Sequence, residues 1–423
     1  MIKTLFARAD LITRLQQPPL GPHLEDLSVS LKQQNYSDNT IRRYLRSAAR
    51  FSIWLSENKL SVAEADENAV SRYVDGLKKA TAASAQAAQF PEQAGGLTHL
   101  LKILRRNLVL APVASPVTAP PTDCKRWLGC FDQYLERVIG AAPTTRDVYR
   151  RIVGRFAEER FGKGPLNWAV VTAEQISQFV TKEAATRKGF GRKVPAVAVR
   201  AALRFLVASG DLRDGLQAAL PVMRAWKHAA LPRHITKDQV DRVLADCSAN
   251  DPKALRNLAI LLLLAKLGLR AKEVVRLELG DIDWKEGRLL IHTSKNHSER
   301  VLPLSQEVGS ALATYLMQGR PKSTSSRVFL TSHAPFEPLA GASAVSMVAK
   351  RALLRSGVPS GPLLGAHTFR HSVASEMVCR GVSFKEVADV LGHSSLETTA
   401  IYAKLDLKAL AQVALPWVGV ADR

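Results

Sequence analysis

Five short motifs in the second half of the chain contain residue types that carry out polar catalysis. In chain order they centre on Arg270 in Leu-Gly-Leu-Arg, Lys295, His367 and Arg370 in His-Thr-Phe-Arg, His393 after Leu-Gly, and Tyr402. Guanidinium groups bind anionic oxygens through paired N–H donors, histidine and lysine transfer protons, and a tyrosine hydroxyl can form a covalent intermediate. Each motif alone is typical of a surface residue or an ordinary helix face. Their common order and spacing favour a single site.

In this order and spacing, residues 235–405 resemble the catalytic domain of the tyrosine recombinase, or phage integrase, family. That family combines an arginine in a Gly-Leu-Arg context, a lysine on a β-hairpin, an HxxR pair and a histidine or tryptophan after Leu-Gly. A tyrosine follows nine residues later, which is the separation of His393 and Tyr402. The resemblance implies six catalytic residues and one supporting acidic residue: Arg270, Lys295, His367, Arg370, His393 and Tyr402, with Glu273 in support.

The resemblance also implies a reaction, the breakage and rejoining of DNA strands. Tyr402 would hold the phosphodiester as a 3′-phosphotyrosine, so that the two steps are reversible and need no ATP. The two arginines would clamp the non-bridging oxygens of the transition state, and His393 would add a donor. Lys295 would protonate the leaving 5′ oxygen, and His367 would manage the proton of the tyrosine or its surroundings. No cofactor and no metal are implied.

Other interpretations exist for parts of this pattern and for the whole chain. His367 and His371 form an i, i+4 pair that could bind a metal, but no carboxylate or cysteine lies at a matching spacing. Residues 384–402 could form a helix-turn-helix that reads the major groove, although His393 and Tyr402 lie inside it at the catalytic spacing. For the whole chain, the alternatives are a type IB topoisomerase-like relaxase and a DNA-binding regulator that has the same fold but does not cleave.

Local signals predict the elements that position these residues. Residues 253–266 form a strongly apolar helix pattern that Gly268 ends, and residues 288–293 and 300–304 flank a polar turn, which predicts a hairpin with Lys295 near its tip. Capping boxes at residues 383–386 and 394–397, with Gly392 between them, predict two further helices. Tyr402 is then expected near the second turn of the last helix.

The predicted fold is mainly α with a small β-sheet or hairpin. Stretches rich in Ala, Pro and Thr near 111–122 and 221–232 divide the chain. They predict a SAM-like helical domain at 1–115, a helical domain at 120–225, a mixed but mostly helical α/β catalytic domain at 232–405 and a tail at 406–423. By resemblance, the second domain binds the core DNA site, the first binds arm-type or extra DNA or a partner, and the tail docks on a neighbouring subunit.

The charge of the chain favours a polyanionic partner. It has 59 Lys and Arg against 38 Asp and Glu, a formal charge of +21 and a pI near 10.1. Arginines recur at helical spacing in both N-terminal units and could follow a phosphate backbone, with a solvated helix face as the plain alternative. These are Arg42, Arg46, Arg50, Arg146, Arg150, Arg151 and Arg155.

The remaining expectations concern location and partners. The four cysteines show no CxxC pair, the N-terminus lacks a cleavage site, and the longest apolar run, 258–265, is too short to span a bilayer. We therefore expect a protein of the bacterial cytoplasm, associated with the nucleoid and not with a membrane. By resemblance, its partners are double-stranded DNA with specific recombination sites and further subunits, in a homo- or hetero-tetramer. It would integrate, excise or transpose a mobile element.

Overall fold

The computed structural model describes residues 1–81, 90–111, 123–162, 164–187, 189–212, 215–222, 234–247, 251–292, 299–358, 365–393 and 395–405. They belong to two compact units, one formed by residues 1–112 and 231–423 and the other by residues 113–230. The described residues are mainly helical and contain a small antiparallel sheet, so the predicted fold class is confirmed.

The first segment is a bundle of helices with its own apolar core. Apolar residues at helical spacing on α4, among them Ile41, Leu45 and Leu55, are fully buried, and Ser37 caps that helix by accepting a hydrogen bond from the Thr40 N–H. Ala334, from the third segment, packs against this core. The helices are α1 (Ile2–Leu5), α2 (Ala9–Leu15), α3 (Gly21–Gln33), α4 (Asp38–Glu57), α5 (Glu67–Thr81) and α6 (Phe90–Arg106).

The second segment forms the other compact unit and is also helical. Its core is aromatic, with Phe131, Phe156 and Trp168 buried against α10 and its neighbours. The helices are α7 (Asp123–Arg137), α8 (Pro143–Phe161), α9 (Ala173–Ala185) and α10 (Val194–Ala208). Thr172 caps α9 in a capping box with Gln175.

The third segment is built around one apolar helix, α12. Residues 258–265 of that helix are all apolar, so the helix is buried at the centre and packs against four of the helices given next. The helices are α11 (Lys237–Ala245), α12 (Pro252–Leu267), α13 (Ala271–Arg276), α14 (Gln306–Thr314), α15 (Ala342–Arg355), α16 (Ala366–Cys379), α17 (Phe384–Leu391) and α18 (Leu396–Thr399).

The sheet of the third segment has the order β1-β2-β3 and is antiparallel throughout. Its strands are β1 (Ile282–Asp283), β2 (Arg288–His292) and β3 (Glu299–Pro303). Arg288 pairs with Pro303 and His292 pairs with Glu299, so β2 and β3 form the predicted hairpin. The predicted Lys295 near its tip lies outside the described residues, as do the linkers at 112–122 and 223–233 and the tail at 406–423.

The end of the chain differs from the sequence expectation. Ser395, rather than the expected Ser394, caps α18 by accepting a hydrogen bond from the Glu397 N–H, and the helix ends at Thr399. A 3₁₀ helix over Ala400–Leu405 follows and carries Tyr402. Tyr402 therefore lies just beyond the last α-helix, within tighter helical geometry. The domain boundaries proposed from the sequence stay predictions.

Candidate active site

Two helix ends position the two predicted arginines. The α12 and α17 helices each end in a glycine with left-handed backbone, Gly268 (φ 61°) and Gly392 (φ 62°). A side chain at Gly268 would approach Leu391 Cδ2 to 2.7 Å, so both the backbone conformation and the close packing require glycine there. Such ends present carbonyl oxygens that have no partner within the helix and that carry the negative end of the helix dipole.

The arginine side chains bind these carbonyl oxygens. Arg370 donates to Gly268 O (2.7 Å) and to Leu391 O (2.5 Å), and Arg270 donates to Gly392 O (2.7 Å) and more weakly to the same Leu391 O (3.4 Å). Two guanidinium groups thus converge on one oxygen atom. Burial, together with the neighbouring charge of Arg270, lowers the pKa of Arg370 to about 9, which still leaves it charged at neutral pH. We call Arg270, Arg370 and these three carbonyls the arginine cradle.

Glu273 holds the cradle to the hairpin through an arginine that sequence reasoning did not single out. It accepts hydrogen bonds from the Arg270 side chain and backbone N–H (2.9 and 2.8 Å) and a bidentate pair from Arg300 on β3 (3.1 and 2.9 Å). The side chains of Glu273 and Arg300 are only 5% and 11% exposed. Burial raises the pKa of Glu273, but the hydrogen bonds and charges of the two arginines outweigh it and hold the pKa below its usual value.

Glu273→Gln is expected to lower the stability of the fold and to make that stability less dependent on pH in the acid range. Because the pKa of Glu273 is lower in the folded protein than the value of about 4.3 in an unfolded chain, its stabilisation is complete above that pH and is lost as the pH falls through the folded pKa. At neutral pH, removal of one partner of this buried pair should cost about 3 kcal/mol in urea unfolding. As the pH falls through the folded pKa of Glu273, the difference in stability between the variant and the wild type should shrink.

Glu307→Gln is the control for that measurement. Glu307 forms a surface pair with Lys266 (3.0 Å), and its side chain is 54% exposed. This substitution should change stability by less than about 1 kcal/mol at any pH. If Glu273→Gln behaves as the control does, Glu273 does not support the cradle as described.

The predicted nucleophile, Tyr402, is buried and hydrogen-bonded to a histidine. Its hydroxyl oxygen lies 2.6 Å from Nδ1 of His371 on α16, and Tyr402 is only 1% exposed. Burial raises the pKa of Tyr402 to about 12, although the Arg370 charge acts in the opposite direction. The phenol is therefore protonated at neutral pH, and a phosphodiester could reach it only after the segment around it shifts.

The two histidines predicted from the sequence lie near the cradle but bind elsewhere. His393 Nδ1 makes a hydrogen bond to Thr399 Oγ1 (2.8 Å), and burial, followed by the charges of Arg370 and Arg270, lowers the His393 pKa to about 4. Partial desolvation and the same two arginine charges lower the pKa of His367, whose side chain remains open to solvent. Within the described residues, neither histidine makes a hydrogen bond to Tyr402.

His292 fastens the end of β2 to its neighbours. Its two ring nitrogens lie 3.0 Å from Asp281 and 2.9 Å from Glu299, and hydrogen bonds to these carboxylates raise the His292 pKa. The described residues contain no group of three or more His, Cys, Asp or Glu placed to hold a metal ion.

Most of the arginines predicted to follow a DNA backbone have protein partners. Arg42 donates to Leu5 O (2.6 Å), and the Arg46 guanidinium lies 5.5 Å from the centre of the Phe6 ring, so both help to fasten the first helix to α4. In the second unit Arg146 and Arg150 face Asp132, and Arg155 pairs with Glu183. Arg50 and Arg151 are exposed. A role for this set in DNA binding stays a prediction.

Comparison with known proteins identifies the family of this chain. The model named phage integrase family matches residues 233–408, and the model named phage integrase, N-terminal SAM-like domain, matches residues 24–89. A putative integrase/recombinase y4rA of Sinorhizobium fredii is 35% identical over 420 residues, which cover 99% of both chains. The tyrosine recombinase XerD of Mycobacterium tuberculosis is 31% identical over 303 residues, which cover 67% of this chain and 93% of the relative.

The chain belongs to the phage integrase family, the tyrosine recombinases. A solved structure of the XerH site-specific recombinase bound to palindromic difH substrate has the same fold, with a TM-score of 0.56 and 19% identity over 70% of this chain and 88% of that one. As a tyrosine recombinase, the chain is an enzyme that cleaves and rejoins DNA strands. The predicted family, fold class and enzyme class are confirmed. None of the described helices is long and apolar enough to cross a membrane.

Proposed function

We propose that this tyrosine recombinase joins specific DNA sites of a mobile element through a covalent 3′-phosphotyrosine at Tyr402. The convergence of Arg270 and Arg370 on one carbonyl oxygen, Leu391 O, is the observation that carries the proposal. Guanidinium groups that approach a single oxygen atom can equally surround the oxygens of a phosphodiester. They would stabilise the extra negative charge of its pentacoordinate transition state.

The remaining residues have supporting roles in this proposal. His393, held by Thr399, donates to a phosphate oxygen. His367, which is exposed and senses the charges of Arg370 and Arg270, organises the protons around the reacting group. Glu273 keeps Arg270 in place through the contacts described above. Tyr402 and Arg370 are only 1% and 4% exposed, so the scissile phosphate reaches them only after the packing around them opens.

The proposed substrate is a pair of double-stranded DNA sites, and the proposed assembly is a tetramer. Two duplexes have four strands, so four Tyr402 nucleophiles are needed for a complete exchange. The domain predicted at 120–225 binds the core site, and the first domain binds additional DNA or a partner. The tail at 406–423 docks on a neighbouring subunit, and the enzyme works at the bacterial nucleoid.

A selection for covalent attachment tests this proposal and finds the target sequence in the same experiment. Purified protein is incubated with a random-sequence duplex library, and DNA that stays attached after denaturation is recovered and sequenced. Enrichment of an inverted-repeat sequence, with the adduct on Tyr402, would support the proposal. Strong relaxation of supercoiled plasmid that lacks the enriched sequence would instead indicate a topoisomerase-like enzyme, and tight binding without any adduct would indicate a regulator.

Lys295→Ala should slow cleavage of ordinary DNA by about 10²- to 10⁴-fold, because the leaving 5′ oxygen then lacks its proton donor. The same variant should cleave at close to the wild-type rate when a sulfur replaces that 5′ oxygen, since a thiolate leaves without a proton. Single-turnover adduct formation on the two substrates measures both rates. An equal defect on the two substrates would exclude Lys295 as the acid.

A further inference from the structure

His371 contacts the nucleophile although none of the predicted catalytic roles includes it. Its Nδ1 lies 2.6 Å from the Tyr402 hydroxyl oxygen, and the two ring centres lie 5.8 Å apart. On α16, His371 directly follows the buried Arg370, and it lies one turn after His367, whose ring centre is 6.5 Å away. One helix turn therefore carries a cradle arginine and the group that contacts the nucleophile.

We infer that His371 is the proton acceptor for Tyr402, an assignment that rests on the proposed function. In the cleavage step the Tyr402 O–H bond breaks and an N–H bond forms at His371 Nδ1. The tyrosine oxygen bonds to phosphorus, and the 5′ oxygen leaves with a proton from Lys295. In the rejoining step the 5′ hydroxyl attacks phosphorus and gives its proton back to Lys295. The bond between phosphorus and the tyrosine oxygen breaks, and the His371 imidazolium returns its proton to the tyrosine oxygen.

The direction of the hydrogen bond follows from the charges around the ring. Burial first, and then neighbouring cationic groups, lower the pKa of His371 to about 4, so the ring is neutral at physiological pH. A protonated phenol beside a neutral imidazole donates to the unprotonated ring nitrogen. The proton of the ring then lies on Nε2. The titratable and charged groups that face His371 are His367, Arg370, His234, His393 and Tyr402.

The same cationic surroundings couple proton acceptance to DNA binding. In the free protein, the positive charge of Arg370 disfavours a proton on His371. The tyrosine therefore has no effective proton acceptor and stays unreactive. A phosphodiester bound between Arg270 and Arg370 brings a negative charge next to His371 and raises its proton affinity. The nucleophile is consequently activated when the scissile phosphate is in position, and it stays protonated while the site is unoccupied.

The first test examines the hydrogen bond in the free protein, independently of any DNA reaction. Protein with ¹⁵N-labelled histidine is compared with its His371→Asn and Tyr402→Phe variants by NMR. We expect the His371 Nδ1 resonance at the position of an unprotonated, hydrogen-bonded nitrogen, and we expect it to move in Tyr402→Phe. A proton found on Nδ1 in the free protein would overturn the inference, whatever the enzyme proves to do.

The second test measures cleavage of the selected duplex with sulfur in place of the 5′ oxygen, so that leaving-group protonation does not limit the rate. His371→Asn, which keeps a hydrogen-bond acceptor near the Nδ1 position but cannot take the proton, should form adduct about 10²-fold more slowly. The rise of the wild-type rate with pH that reports His371 deprotonation should also disappear. The exposed His333→Asn should match the wild type in both respects.

The outcomes separate this inference from the proposed function. A His371→Asn variant that cleaves the sulfur substrate at the wild-type rate, with the wild-type pH profile, would refute His371 as the proton acceptor while leaving Tyr402 as the nucleophile. Absence of any adduct with wild-type protein would refute the proposed function instead, and the NMR result would still decide the hydrogen bond. Thermal melting of each variant confirms that it is folded.

Discussion

Tyr402→Phe is expected to abolish covalent attachment to DNA while leaving the fold and DNA affinity nearly unchanged. The substitution removes one oxygen atom from a side chain that stays packed among Ala374, Val378 and Leu391. It also removes the hydrogen bond to His371, at a cost of about 1 kcal/mol in stability. Without the nucleophile, adduct formation should fall by at least about 10³-fold. Denaturing gels with labelled selected duplex measure it.

Tyr315→Phe is the matched control for the nucleophile. Tyr315 also lies in the third segment of the fold and is also only 1% exposed. Its hydroxyl accepts a hydrogen bond from the Leu330 N–H (3.4 Å). This variant loses a buried hydroxyl in the same way but should form adduct at the wild-type rate. If Tyr402→Phe still forms adduct while the control does too, another residue is the nucleophile.

Arg370→Lys should reduce the single-turnover rate of adduct formation by about 10²- to 10³-fold, with a smaller effect on DNA binding. A lysine retains the charge, but its single ammonium group cannot bridge Gly268 O and Leu391 O and also present a planar pair of donors to a phosphate. The rate is measured at saturating DNA, with binding followed in parallel. A variant that binds weakly but cleaves normally once saturated would show that Arg370 acts in binding only.

Arg370→Lys should also destabilise the fold, which lowers the measured activity, because each buried carbonyl oxygen that loses its donor costs about 1–3 kcal/mol. Arg256→Lys controls for this effect. Arg256 is likewise buried, at 8% exposure, and donates to the Leu330 carbonyl (2.9 Å). The Arg256→Lys variant should lower the melting temperature about as much as Arg370→Lys does, without affecting the rate of cleavage by folded protein.

Local sequence signals predicted most of the elements around the site. The apolar run before Gly268, the capping box at Ser383 and the stop at Gly392 match α12 and α17 because caps and left-handed glycines act over a few residues. The hairpin was predictable from its two strands and polar turn for the same reason. The end of α18 was not, because tertiary packing of Tyr402 replaced a continuing α-helix with a 3₁₀ helix.

The contacts of His371 and Arg300 could not be read from spacing alone. The spacing of His371 indicates only an i, i+4 pair with His367, and its hydrogen bond to Tyr402 joins residues 31 positions apart. Arg300 did carry a signal: residues 300 and 302 point to the same side of β3, and Leu302 is buried. An arginine on the inward side of a strand needs a buried partner, but the identity of that partner, Glu273, depends on the tertiary fold.

The number of residues between His393 and Tyr402 constrains the engineering of hybrid recombinases. His393 is fastened to Thr399, and three residues of 3₁₀ geometry later Tyr402 meets His371. One inserted or deleted residue would rotate the phenol by about a third of a turn, away from its histidine. Chimaeras that exchange catalytic modules between recombinases should therefore place their junctions before Leu391 or after Leu405, so that this interval is inherited as one block from a single parent.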